Sequence, residues 1–227
     1  MAYYPIFIKL DGKTALVVGG GRVAQRKIET LLEYGASVDI ISKDIISKGL
    51  TDRLKQLVES GDIRHMGEKF EDKHLDGAFL VIAATDDERL NHEISKTAQK
   101  RGLLINAVDQ PPDCNFIVPS IVKKGDLILA ISTSGKSPAL AKKLRKKIDA
   151  QFGSEYEAFL ILMGCLRKEV LKMGLSHNEN GRIFKEIVDS DVFESLALKD
   201  RDRVRSTLRR ILPADTALEK CLGKEVL

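Results

Sequence analysis

"TALVVGGGRVAQRKIETLLEYGA", residues 14–36, decides the fold. Residues 14–18 form a short apolar run, three glycines follow, and residues 22–34 then carry apolar side chains at helical spacing. A strand that turns through glycines straight into a helix is the entry to a dinucleotide-binding unit when the glycines follow the G-x-G-x-x-G/A pattern. Gly19, Gly21 and Ala24 fit that pattern. Gly19 allows the tight turn, Gly21 lets backbone approach a pyrophosphate with no side chain in between, and Ala24 keeps the helix close to the sheet. Arg22, Val23 and Ala24 then form a first helical turn whose unpaired amides face the phosphates.

Outward from this stretch the pattern repeats. "SVDIIS" (37–42) reads as a second strand, with Gly35 as the preceding helix stop, and "LTDRLKQLVESG" (50–61) as a helix closed by Gly61. "DIRHM" (62–66) is a weak third strand and "GAFLVIAAT" (77–85) a strong buried fourth. "DDERLNHEISKTAQKRG" (86–102) is an amphipathic helix stopped by Gly102, and "LLINAV" (103–108) a fifth strand. Strands alternating with helices predict an α/β fold, a Rossmann-type doubly wound parallel sheet. The prolines of "QPPDCN" (110–115) break the pattern. "FIVPSIV" (116–122) and "LILAIST" (127–133), joined by "KKGD", predict a hairpin, and only helical periodicity follows Ser137. The expected organisation is a dinucleotide-binding domain over 1–112, a small hairpin-and-helix segment over 113–150 and a helical C-terminal domain over 151–227. The final stretch "ALEKCLGKEVL" is expected to fray.

Hydrophobic residues make up 43% of the 227 and charged residues 31%, which excludes a disordered chain. No run of about 18 apolar residues and no basic leader is present, so a cytoplasmic protein is expected and no membrane partner. The net charge of +4 is modest, but "KKLRKK" (142–147) gathers five cations. That helix lacks interleaved aromatics and no helix-turn-helix pattern precedes residue 14, which argues against nucleic acid. Cys114, Cys165 and Cys221 are odd in number and match no ligand spacing, so each is expected as a free thiol. His65, His74, His92 and His177 lie in separate segments, and no resident metal is expected.

At the end of the second strand the usual acidic ribose ligand is missing. Asp39 falls early, Asp44 late, and Ser42 and Lys43 stand near the expected place, which leaves NAD and NADP both open at this point. Ala84 and Thr85 follow the fourth strand at the cofactor edge, with Thr85 or Asp86 as the expected N-cap of the next helix. Asp109 ends the fifth strand, where ligands of open α/β sheets bind; it is either a turn residue before two prolines or a proton acceptor. Asn106 and Asn115 read as turn or backbone partners near it. Ser137 before Pro138 reads as an N-cap with proline at the first helical position, its free amides pointing past Gly135 and Lys136. Leu140, Leu144 and Ile148 recur at helical spacing, which leaves the other faces to Lys142, Lys143, Lys146 and Lys147.

Taken together, "YPIFIKLDGKTALVVGGGRVAQRK" (4–27), "FLVIAATDDERLN" (79–91), "NAVDQPP" (106–112), "FIVPSIV" (116–122) and "ISTSGKSPALAKKLRKKI" (131–148) resemble the precorrin-2 dehydrogenase/sirohydrochlorin ferrochelatase module of siroheme synthase. The resemblance covers about residues 3–150 and the tail loosely. It implies NAD-dependent oxidation of the tetrapyrrole precorrin-2 to sirohydrochlorin, in many members followed by insertion of ferrous iron as a second substrate. It implies a homodimer formed through the middle segment, Asp109 as the catalytic aspartate, and a tail capping the tetrapyrrole cleft. NAD is accordingly the expected cofactor, held by Gly19, Gly21, Arg22, Val23, Ala24, Lys43, Asp44, Ala84 and Thr85. Ser134, Gly135, Lys136 and Ser137 are the expected contacts to the polycarboxylate substrate. The methyltransferase domain of fused relatives is expected to reside elsewhere. Two other readings stay open: a dehydrogenase without metal insertion, and a non-catalytic NAD(H)-sensing module.

Overall fold

The computed structural model describes residues 3–43 and 50–223, which divide into two compact units, 1–118 and 119–227. In the first unit five strands, β1 (Thr14–Val18), β2 (Ser37–Ile41), β3 (Ile63–Gly67), β4 (Leu80–Ala83) and β5 (Leu104–Ala107), make a parallel sheet in the order β3-β2-β1-β4-β5. Successive strand residues point to opposite faces, and both faces are apolar because both are covered. Ala15 and Val17 of β1 pack with Ala24, Ile28 and Leu31 of α1 (Arg22–Glu33) and with Leu54 and Leu57 of α2 (Asp52–Glu59). Leu16 and Val18 face the other way, against Ile94 and Ala98 of α3 (Glu88–Lys100).

Helix ends set where the chain turns back into the sheet. After α1, Gly35 takes a φ of 77° and donates to the Leu32 carbonyl at 3.0 Å, while Ala36 N–H reaches the Leu31 carbonyl at 3.0 Å. These two bonds satisfy carbonyls that the helix leaves open and need the left-handed residue that glycine supplies. Gly102 ends α3 in the same way, with its N–H on Gln99 and that of Leu103 on Ala98. At the start of α3 the cap is Asp87, whose carboxylate accepts from Arg89 and Leu90 N–H; this corrects the expectation of Thr85 or Asp86. Thr85 instead uses its hydroxyl to accept from Asp87 N–H and to reach Asn91.

In the second unit β6 (Ser120–Lys124) and β7 (Leu127–Ile131) form an antiparallel hairpin through Gly125 and Asp126. Helix α4 (Pro138–Asp149) starts at Ser137, whose hydroxyl accepts from Leu140 N–H at 3.3 Å, with Pro138 at the first position. Leu162, Leu166 and Val170 line one face of α5 (Glu155–Lys172) and pack with Ile183 and Ile187 of α6 (His177–Val188) and with Val204 and Leu208 of α8 (Arg201–Ile211). Between them lies α7 (Val192–Ala197), and α9 (Leu218–Cys221) follows.

Two expectations fail here. Cys165 of α5 and Cys221 of α9 are joined in a disulfide with Cα atoms 5.5 Å apart, and only Cys114 remains a free thiol among the described residues. The segment expected to fray is held over its described part, because Leu218, Cys221 and Leu222 are buried in the helical core. Among the described residues no helix is long and apolar enough to cross a membrane.

Candidate functional site

The carboxyl ends of the five parallel strands share one edge, and the glycine turn crosses it between β1 and α1. Gly19 N–H donates to the Ile41 carbonyl at 2.8 Å and Thr51 N–H to that of Gly20 at 3.1 Å, so the turn is fastened to the end of β2 and the start of α2. Gly19 has a φ of 120°, and a Cβ there would overlap the Ala84 carbonyl oxygen. Any larger residue would force β1 and the segment after β4 apart. Gly19→Ala is therefore expected to cost about 1–3 kcal/mol, the range for a residue held in glycine-only backbone, read as a lower unfolding midpoint of the first unit.

Gly21 differs. It caps α1 in extended backbone, and a Cβ built on it meets no atom within 4 Å. Among the described residues no side chain caps α1 and no acidic residue occupies its first turn, so the amides of Arg22, Val23 and Ala24 and the positive end of the helix dipole are left for an anion. By contrast α2 and α3 are closed by Thr51 and Asp87. These residues fit a pyrophosphate.

The ribose end is less regular. Asp39 is only 9% exposed, and both its oxygens are taken by Arg64 of β3, Nε at 2.9 Å and Nη2 at 2.7 Å. It serves to join β2 to β3. Ser42 is buried, with its carbonyl 3.1 Å from His65 Nε2. Lys43 is exposed on the bend that follows, and Asp44 lies outside the described residues. Beyond β3 a cavity of about 650 Å³ opens on the same edge, lined by Met66, Gly67, Glu68, Lys69 and the Glu71–Lys73 pair, whose charges meet at 2.8 Å.

On the other side of β1, Ala84 N–H continues the ladder to Val18 and its carbonyl lies under Gly19. Thr85 is bound up with buried Asn91 through its amide, its hydroxyl and its carbonyl. Val108 N–H extends β5 to the Ala83 carbonyl, and Asp109 follows with a φ of 60°. An L-residue adopts that conformation rarely, aspartate and asparagine more readily than most. The Asp109 side chain is exposed and makes no hydrogen bond or ion pair among the described residues.

The loop after Asp109 is firmly tied. Ser95 Oγ donates to the Asp113 carbonyl at 2.6 Å, and His92 Nδ1 lies 2.7 Å from Asp113 Oδ1. Asn115 accepts from Ile105 N–H and donates to Leu103 O, both at 2.8 Å, while Asn106 Nδ2 donates to Phe116 O at 3.1 Å. Asn106 and Asn115 are thus backbone partners. Burial pushes the Cys114 thiol up, which keeps it protonated at neutral pH.

Lys27, which the sequence reading passed over, stands among these groups. It lies on α1 between buried Ala24 and Ile28, within electrostatic range of Asp109 and Cys114. The signal was present as a charged residue on the helix's buried stripe at positions 24, 27, 28 and 31.

The structure therefore gathers Gly19, Gly21, Arg22, Val23, Ala24, Ala84, Thr85 and Asp109 along one sheet edge of the first unit. Ser134, Gly135, Lys136 and Ser137 belong to the second. There Ser134 has a φ of 51° and takes a bond from its amide to Ser132 Oγ at 3.0 Å, while Lys136 N–H donates to Thr133 O at 3.0 Å.

The family model described as putative NAD(P)-binding matches residues 6–120, just over half of the chain. The chain belongs to this family. A second model, sirohaem biosynthesis protein central, matches residues 124–151. The siroheme synthase of Methylobacillus flagellatus is 38% identical over 93% of this chain and 44% of its own length. That of Photorhabdus laumondii is 39% identical over 82% and 38%. The chain thus spans less than half the length of these curated relatives. Among solved structures, "SirC, precorrin-2 dehydrogenase" superposes with a TM-score of 0.74 at 26% identity, covering 92% of this chain and 98% of its own. The family and this neighbour agree with the parallel sheet, small antiparallel sheet and helical part described above, and with NAD as cofactor.

Proposed function

We propose that the chain oxidises precorrin-2 to sirohydrochlorin with NAD. The observation that carries this reading is an unbonded carboxylate, Asp109, held in left-handed backbone on the sheet edge that also bears the glycine turn. The names of the relatives and of the solved neighbour supply the substrate class.

Bound NAD supplies the acceptor for a hydride from the reduced macrocycle. The uncapped amides of α1 hold the pyrophosphate, and Gly21 leaves them accessible. Loss of a hydride from a neutral ring system leaves a proton to be removed, and Asp109 accepts it. A carboxylate engaged in an ion pair, as Asp39 is, would serve poorly. Ser134, Gly135, Lys136 and Ser137 of the second unit remain proposed contacts to the peripheral carboxylates of the substrate, with Lys136 supplying the cation. A homodimer fits the same reading: α4 buries Ala141 but leaves Leu140 at 47% and Leu144 at 36% exposed, an apolar stripe suited to a second copy. Lys43 and Asp44 remain proposed nucleotide contacts.

Anaerobic incubation of the purified protein with NAD and precorrin-2 tests the proposal, with NADH and the sirohydrochlorin absorption spectrum as products. No turnover removes it. Gly21→Asp probes the nucleotide site itself. Its carboxylate would meet the pyrophosphate with like charge, a penalty of several kcal/mol, and NAD binding is expected to weaken at least about 100-fold in calorimetry. Because nothing lies within 4 Å of that Cβ, the thermal midpoint is expected to hold.

A further inference from the structure

We propose that Lys27 anchors a carboxylate of the substrate beside Asp109. The assignment rests on the polycarboxylate tetrapyrrole proposed above. Lys27 sits on the stripe of α1 whose other members, Ala24, Ile28 and Leu31, are buried, and its own side chain is half-buried. A charge removed from water is ordinarily paired. Lys27 nevertheless makes no hydrogen bond or ion pair among the described residues. The charged or titratable groups acting on it are Arg26 of its own helix, and Asp109 and Cys114 from the loop after β5. Val108, next to Asp109, packs in the same cluster as Ala24 and Ile28 of α1, and the Lys27 ammonium and Asp109 carboxylate act on each other with no direct bond between them.

That arrangement suits an acidic ligand. Asp109 alone would repel a molecule rich in carboxylates, and a neighbouring ammonium both offsets this repulsion and offers a charge-assisted bond. Burial lowers the pKa of Lys27 below the usual lysine range, with Arg26 adding to the effect. An amine lowered in this way binds its proton less well in the folded than in the unfolded state. Its charge therefore costs stability at neutral pH, and the cost is relieved only as pH rises through the folded pKa.

The test uses the full chain with Lys27→Met and Lys27→Arg. Titration with sirohydrochlorin, followed by absorbance, is expected to show Lys27→Met binding about 10- to 100-fold more weakly, the range for a lost charged hydrogen bond. Lys27→Arg is expected to recover much of the loss. NAD affinity should be unchanged, the thermal midpoint equal or higher, and in turnover KM should rise while kcat holds. Unaltered sirohydrochlorin binding by Lys27→Met overturns the assignment. So does a lost NAD affinity, a lowered midpoint, or a fall confined to kcat. If the wild-type chain binds no sirohydrochlorin, the proposed function itself falls, a result distinct from equal binding by wild type and variant.

Discussion

Asp109→Asn is expected to lower precorrin-2 turnover by about 10²- to 10⁴-fold, the usual contribution of a positioned proton acceptor, while NAD affinity and thermal midpoint stay at wild-type values. Asparagine is the sharper probe because it tolerates the φ of 60° recorded at this position. Alanine removes the same carboxylate but adds backbone strain of about 1–2 kcal/mol, so its loss of activity would carry a stability component. Comparing the two separates chemistry from fold. The same pair addresses iron insertion: metalation displaces two pyrrole protons, and ferrous or cobaltous ion added to sirohydrochlorin should be taken up faster with wild type than with either variant if this chain performs that step. Turnover by Asp109→Asn within a few-fold of wild type would leave the proton to another group.

The second large effect concerns the Cys165–Cys221 bond. It closes a loop with a sequence separation of 56 residues, for which loop-closure entropy gives about 4 kcal/mol of stabilisation. Adding a thiol reductant is expected to move the unfolding transition of the helical unit to lower denaturant and to leave that of the dinucleotide-binding unit in place. The unfolding is followed by a probe in each of the two compact units, so that each transition is read by itself. Thiol titration of the unfolded, unreduced chain should find one reactive cysteine, Cys114, and three after reduction. Superimposable curves with and without reductant would mean that the packing of Leu218 and Leu222 alone holds α9. In a compartment rich in reduced thiols the bond opens, and that packing is then what remains.

Most of the first unit was legible from residue order. Apolar strands of four or five residues, helical periodicity and glycine stops at 35, 61 and 102 dictate a parallel α/β sheet, because each signal is local and all of them agree. Gly19 and Gly21 were legible as a pair, but their different duties were not. One is pressed against Ala84 and the other faces open space, a distinction that depends on residues more than sixty positions away. The same limit hid the Asp39–Arg64 pair, which exists only because β2 and β3 lie in parallel register with Asp39 opposite Arg64. It also hid the disulfide, since spacing carries no information on which helices meet. The cap of α3 was misplaced by one or two positions because Thr85 binds Asn91 and leaves Asp87 to take the amides. Lys27 was a different kind of omission. Its position on the apolar stripe was readable, but its significance required knowing that Val108 and Phe116, after β5, pack in the cluster with Ala24 and Ile28 of α1.

The left-handed turn at residue 109 has a consequence for how this sequence can diverge. Glycine, asparagine and aspartate are the side chains that such a backbone admits at little cost. Of the three, only aspartate brings a base. With the proposed proton transfer, conformation and reactivity would each favour aspartate at this position.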